Sequence, residues 1–214
     1  MSEPWNESAD RMVEALGPIP TAVAKALRSV PRHLFVPREY TARSYDDEPI
    51  PLGSDFTSIS APHMVALQLE LARLRRGSSL LEIGSGSGYL LAVAAAIVGP
   101  SAHLVGVEVD PGLANRSRAT LAQLGVDATI RIRDGRESVP EGAVFDAVIV
   151  SCATPVLHPA WPAALVDGGR VVAPVGDAMG QTLTVYRRKG AKGTSEAGPA
   201  VRFVPLRASV PPHI

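Results

Sequence analysis

The stretch Leu-Glu-Ile-Gly-Ser-Gly-Ser-Gly-Tyr at residues 81–89 constrains this chain more than any other. It follows a short apolar run, 80–83, and leads into a continuous small apolar run, 89–98. A strand, a glycine turn and a helix in that order form the setting of a nucleotide-binding loop. Tyr89 stands where a dinucleotide fold places the last of its three glycines, after Gly84, Gly86 and Gly88. Glu82 lies on the strand, two residues before the first glycine. A carboxylate there repels a pyrophosphate and suits a ligand with a cationic group, met directly or through water. Taken alone, the loop is also what any tight strand–helix turn looks like, so its neighbours have to decide.

Those neighbours alternate in texture. Residues 80–83, 104–109, 129–132, 147–150 and 171–175 read as strands. Residues 89–98 and 111–124 read as helices, with a shorter one at 159–165. Asp110 is placed to cap the helix that opens with Pro111. This alternation predicts an α/β fold with a doubly wound, mostly parallel sheet and ligands at the carboxyl ends of its strands. Residues 182–186 and 201–204 read as a late antiparallel hairpin, and 187–200, rich in Lys, Gly and Ser, as its loop. Residues 1–76 form an N-terminal helical segment of the same domain, and 77–214 the sheet-bearing core. In that segment Met12, Val13 and Leu16, then Val23, Ala26, Leu27 and Val30, keep helical spacing. Pro31, Pro37, Pro49 and Pro51 then force turns, and 62–74 resumes a helix with Pro62 in its first turn.

Two further sites fall at strand ends. Glu108 closes the second strand, where a carboxylate can accept hydrogen bonds from both ribose hydroxyls. Asp134 and Gly135 follow the third, where the carboxylate suits an adenine amino group and the glycine admits a ring close to the backbone. Each alone is an ordinary strand-end carboxylate or Asp-Gly turn. Together with Glu82, a single nucleoside-bearing ligand explains all of them.

Composition narrows the partners. A chain of 214 residues suits one domain. Lys plus Arg and Asp plus Glu both number 21, which argues against a broad basic face for nucleic acid and favours small or peptide ligands. Cys152 is the only cysteine, so no intrachain disulfide forms. The histidines are scattered, without HExxH or CxxC, and no metal site is expected. No apolar run has the length of a membrane span, and residues 1–10 lack a signal-peptide pattern. The expectation is a cytoplasmic protein acting as a single chain.

Longer segments make the chain resemble the protein-L-isoaspartate (D-aspartate) O-methyltransferase family. They are Val-Pro-Arg-His-Leu-Phe-Val-Pro at 30–37, Tyr-Asp-Asp at 45–47 and Ser-Ile-Ser-Ala-Pro-His-Met at 58–64. After 80–89 come Asp-Gly-Arg at 134–136, Gly-Gly-Arg-Val-Val-Ala-Pro-Val-Gly at 168–176 and Arg-Phe-Val-Pro-Leu at 202–206. The likeness covers essentially residues 8–206. It implies a Rossmann-like class I methyltransferase fold with S-adenosylmethionine as cofactor. The implied reaction is methylation of the α-carboxylate of an L-isoaspartyl residue in a damaged protein or peptide, leading to a succinimide and repair. By the same resemblance Glu82, Gly84, Ser85, Gly86, Gly88, Glu108, Asp134 and Gly135 hold the cofactor, and Ser60 is the catalytic residue nearest the transfer. Ser58, His63, Pro174, Val175 and Gly176 then hold the acceptor, the last three gripping it as an added strand.

The departures from the family pattern lie on the acceptor side. Asp55-Phe-Thr stands where a Gly-Gln or Gly-Ala pair is usual, Ser-Cys-Ala-Thr-Pro occupies 151–155 where small alanines are usual, and Arg207 replaces a small hydroxyl residue. They keep open a carboxyl methyltransferase of the same fold acting on an ordinary aspartate of a ribosomally made peptide. A cofactor-binding module without turnover is the alternative from another class.

Overall fold

The computed structural model describes residues 4–53, 57–137 and 145–208. Its first third wraps rather than founds the fold. Helices α1 (Pro4–Ala15) and α2 (Thr21–Ser29) bury Met12, Val13, Val23, Ala26 and Leu27. Two 3-10 turns follow, Arg32–Phe35 and Arg38–Arg43, each entered through a proline. Strands β1 (Ile50–Pro51) and β2 (Ser58–Ile59) form a small antiparallel ribbon, with Ile50 opposite Ile59. Helix α3 (Pro62–Ala72) leaves that ribbon with Pro62 in its first turn, where a missing N–H costs nothing.

The core then alternates: β3 (Leu80–Ile83), α4 (Tyr89–Val98), β4 (Leu104–Glu108), α5 (Pro111–Gln123), β5 (Thr129–Ile132), β6 (Phe145–Val150) and α6 (Ala160–Ala163). Three long strands finish the sheet, β7 (Leu165–Asp177), β8 (Gly180–Lys189) and β9 (Lys192–Val201). Their order across the sheet is β5-β4-β3-β6-β7-β8-β9. The pairings β3–β4, β4–β5, β3–β6 and β6–β7 are parallel, and the last two are antiparallel. The chain reverses its direction of winding between β3 and β6, and the crevice beyond the carboxyl ends of such a pair is where open α/β sheets bind ligands.

Side-chain alternation on β3 decides which face meets that crevice. Leu81 and Ile83 pack with Trp161 of α6, Val148 and Val171 on one side of the sheet. Leu80 lies on the other, in a cluster that also takes in the buried residues of α1 to α4. Glu82 shares the parity of Leu80 and therefore faces the side that the N-terminal segment covers.

The end of the chain differs from its sequence reading. Residues 187–200, read as a loop, are strand apart from a turn at 190–191: β8 and β9 pair from Gln181–Val201 down to Lys189–Lys192. Most of β9 is exposed and carries Lys192, Glu196, Gly198 and Pro199, so no apolar alternation marks it. Its order rests on backbone hydrogen bonds to β8, and its charges and proline suit an edge strand that must not recruit another. Residues 165–170 join β7, and the helix before it is confined to Ala160–Ala163. Among the described residues, no helix is long and apolar enough to cross a membrane, and no cluster of three or more His, Cys, Asp or Glu is placed to hold a metal ion.

Candidate active site

Two adjoining cavities of about 550 and 350 Å³ open at the carboxyl ends of β3, β4 and β6. Ser58, Gly84, Gly86 and Ser151 line both, so they form one continuous site. Glu108, Val109 and Gly135 belong to the larger part, and Ser60, Glu82 and Tyr89 to the smaller.

The glycine loop is built from backbone hydrogen bonds to the next strand. The N–H groups of Gly84 and Ser85 both donate to the Val107 carbonyl, at 2.8 and 3.0 Å. Gly88 takes φ 84° at the start of α4, and a Cβ there would collide with the Ser117 hydroxyl on α5. Only glycine satisfies both the left-handed backbone and that close approach.

Glu82 is the electrostatic centre of the smaller cavity. It is 2% exposed, and its Oε1 accepts a 2.7 Å hydrogen bond from the Ser151 hydroxyl across the switch point. Its Oε2 is buried with no partner among the described residues. Burial first, and then the charge of Glu108, pushes the Glu82 carboxyl up to about 8, against the lowering effect of Ser151. An unpartnered buried carboxylate oxygen is costly unless a cation or donor meets it. The Ser85 hydroxyl is likewise buried and unpartnered among the described residues.

Glu108, at the end of β4, lines the cavity and is held by backbone N–H groups. Oε2 accepts from Gly86 N–H at 2.8 Å, and Oε1 from the N–H groups of Val109 at 2.8 Å and Asp110 at 3.0 Å. A carboxylate has about four acceptor positions. Three are filled, and the remaining capacity on Oε2 suits one hydroxyl rather than two. The turn into α5, where Asp110 caps Leu113 N–H at 3.0 Å, brings the Val109 and Asp110 N–H groups round, and the glycine loop brings that of Gly86.

Beyond β5 the cavity wall is Gly135, which a Cβ would drive into Ile83 and whose carbonyl accepts from the Trp161 indole at 2.9 Å. The Asp134 carboxylate is turned to Arg136, whose Nε and terminal nitrogen reach both oxygens at 2.6–3.1 Å. Those hydrogen bonds hold its pKa below the ordinary aspartate value.

The acceptor-side residues divide. Ser58 and Ser60 line the smaller cavity beside Glu82. His63 is set apart: its N–H and its Nδ1 both lie 2.9 Å from Asp47 Oδ1, so Asp47 secures the start of α3. Pro174, Val175 and Gly176 sit within β7, already flanked on both edges. Val175 pairs with Thr182 of β8, the Pro174 carbonyl accepts from Thr154 N–H at 3.0 Å, and Gly176 N–H donates to the Thr154 carbonyl at 2.9 Å. A substrate strand added there would have to displace Thr154, so the strand-addition reading has no free backbone edge to use. Of the departures, Thr57, Ser151, Cys152 and Arg207 line the larger cavity, and burial raises the Cys152 thiol. Asp55 and Phe56 lie outside the described residues.

Sequence reasoning did not assign Ser151, Thr154 or Arg32. Ser151 is recognisable as a polar residue at the end of an apolar strand run next to the Glu82 strand, but the pairing of β3 with β6 has to be known first. Arg32 lay inside a quoted motif without a role, although a lone charge among Val, Pro, Leu and Phe is itself informative.

The family model described as protein-L-isoaspartate(D-aspartate) O-methyltransferase matches residues 14–210. Protein-L-isoaspartate O-methyltransferase 2 of Archaeoglobus fulgidus is 40% identical over 207 residues, covering 95% of this chain and 94% of the relative. Among solved structures, a protein-L-isoaspartate O-methyltransferase superposes with a TM-score of 0.86 at 26% identity, over 94% of this chain; the chain spans 65% of that longer one. The beta-aspartate methyltransferase from Plasmodium falciparum in complex with S-adenosyl-L-homocysteine superposes with a TM-score of 0.82 at 24% identity, over 94% of this chain and 99% of that one, and bears on the fold alone. A cavity at the switch point, a buried carboxyl on its wall and a match along nearly the whole length converge: this chain belongs to the protein-L-isoaspartate(D-aspartate) O-methyltransferase family.

Proposed function

We propose that this protein methylates the α-carboxylate of L-isoaspartyl residues in peptides and proteins, with S-adenosylmethionine as methyl donor. The observation that carries the reading is the unpartnered Glu82 Oε2 in a cavity that also receives Ser60. A carboxylate for the cationic amino-acid end of the cofactor thus adjoins a hydroxyl for the acceptor.

The residues present fit the cofactor. Glu82 would meet its ammonium group, Ser85 and the Gly84–Gly88 loop would border its methionine part, Glu108 would accept from its ribose, and Gly135 would leave room for the adenine. When bound, S-adenosylmethionine supplies an electrophilic methyl group on a sulfonium. An acceptor carboxylate is already nucleophilic at neutral pH, so this chain's task is alignment and exclusion of water rather than proton removal. Ser60 orients the carboxylate through its hydroxyl, and Ser58 extends that wall toward the larger cavity. Asp134 serves indirectly, by fixing the turn that presents Gly135. His63 acts through Asp47, by anchoring α3 behind Ser60. Pro174, Val175 and Gly176 act by bracing Thr154 rather than by pairing with substrate. Residues 1–76 form the acceptor-side segment of the domain and 77–214 the cofactor-binding core.

The test is methyl transfer from labelled S-adenosylmethionine to two matched peptides, one with L-isoaspartate and one with L-aspartate. Label on the isoaspartyl peptide alone, later released as methanol, is the expected result. Label on the aspartyl peptide, or on neither while cofactor binds, overturns it.

A further inference from the structure

Arg32 is fully buried and has no part in the site described so far. Its Nε donates to the Ser44 carbonyl at 2.7 Å, and one terminal nitrogen donates to the Ser60 carbonyl at 2.8 Å. Its guanidinium carbon lies 4.7 Å from the centre of the Tyr89 ring. Tyr89 opens α4 and lines the smaller cavity with Ser60 and Glu82. One side chain therefore ties the turn after Arg43, the junction between β2 and α3, and the first residue after the glycine loop.

The contact is expensive to keep. A buried charge costs several kcal/mol of desolvation unless strong partners meet it, and apolar replacements of such groups are often neutral or better. Arg32 makes no salt bridge among the described residues, and Tyr89 is the side chain that most favours its charge against the cost of burial. Asp47, the carboxylate that acts on it electrostatically, is engaged by His63. A purely structural tie between carbonyls does not require a cation at this depth.

We propose that Arg32 is a positioning residue for the acceptor half of the site, holding the Ser60 carbonyl so that the Ser60 side chain enters the cavity it shares with Glu82. This rests on the role given to Ser60 above. Arginine suits the task because its planar fork reaches two carbonyls at once while its face stacks on an aromatic ring. Lysine keeps the charge but is a point donor.

The test compares the parent, Arg32→Lys, Ser60→Ala and the double variant. Each is measured for kcat and KM on an isoaspartyl peptide, for S-adenosylhomocysteine affinity by calorimetry, and for melting temperature. Arg32→Lys should bind S-adenosylhomocysteine as the parent does and lose about a hundredfold in kcat, the scale of a misplacement of about 1 Å. In the Ser60→Ala background the same substitution should cost nothing further, because the two act as one unit. A loss that is equal with and without the Ser60 hydroxyl overturns the proposal while leaving Ser60 catalytic. Parental kcat in Ser60→Ala alone overturns the role of Ser60 and the proposal with it. A parallel fall of kcat and S-adenosylhomocysteine affinity shows general loosening and also overturns it. If Arg32→Lys does not fold, Arg32→Gln, which keeps a planar donor, is read through the same cycle.

Discussion

Burial pushes the Glu82 carboxyl from an ordinary value of 4.5 to about 8. Between those values the folded, ligand-free protein holds a proton that the unfolded chain releases. The stability this contributes is therefore fully present below pH 4.5 and is lost as pH rises toward 8. Each pH unit in that window is worth at most about 1.4 kcal/mol. Glu82→Gln is neutral throughout and escapes the loss. Thermal melts without ligand should show it above the parent at pH 8, by roughly 2–4 °C for each kcal/mol recovered. The same variant cannot neutralise a cation, so its S-adenosylmethionine affinity should fall by about ten- to a hundredfold, the worth of a hydrogen bond to a charged group. A variant that melts and binds like the parent at that pH would remove Glu82 from the site. Here stability and function pull one residue in opposite directions.

The end of the glycine loop and α5 are held at contact distance by an absence. A Cβ at Gly88 meets the Ser117 hydroxyl and the Leu121 side chain, whereas a Cβ at Gly125 meets nothing within 4 Å, and both glycines have positive φ. Alanine at either position carries backbone strain of about 1 kcal/mol or more. Gly88→Ala should cost clearly more than Gly125→Ala in urea denaturation, and should weaken cofactor binding, because the loop can relieve the collision only by moving. Equal midpoints for the two variants would show that the helices yield without disturbing the loop. At the far edge of the sheet the determinant is of another kind. Strand β9 owes its place to backbone pairing with β8, and its side chains advertise nothing of it.

The site draws on segments from nearly the full chain: Ser58 and Ser60, Glu82 to Gly86, Glu108, Gly135, Ser151 and the stretch from Val204 to Arg207. No fragment carries it, so a ligand that bridges these parts stabilises the whole fold by mass action. S-adenosylhomocysteine at a hundred times its dissociation constant should add about 2.7 kcal/mol, read as an upward shift of a single melting transition. An unchanged melting temperature at that concentration would mean that the cavity does not take the cofactor. One hydrophobic cluster includes residues from Met12 to Val185, which is why the acceptor-side helices and the cofactor-side sheet should melt together.

The sequence by itself determined the features that depend on local order. The β3–loop–α4 unit, the cap at Asp110 and the parity of Glu82 follow from chain neighbours and from the two-residue period of a strand. What only the tertiary structure decided depends on partners far apart in the chain. The pairing of β3 with β6 brings Ser151 to Glu82, 69 positions away. The return of the chain along β7 gives Thr154 the backbone groups that sequence reasoning reserved for substrate, and the turn into α5 and the glycine loop together fill three acceptor positions of Glu108. Local propensity shows which groups are available to bond. Packing decides which of them are already taken, because each buried donor and acceptor must be satisfied by whatever the whole fold brings within reach.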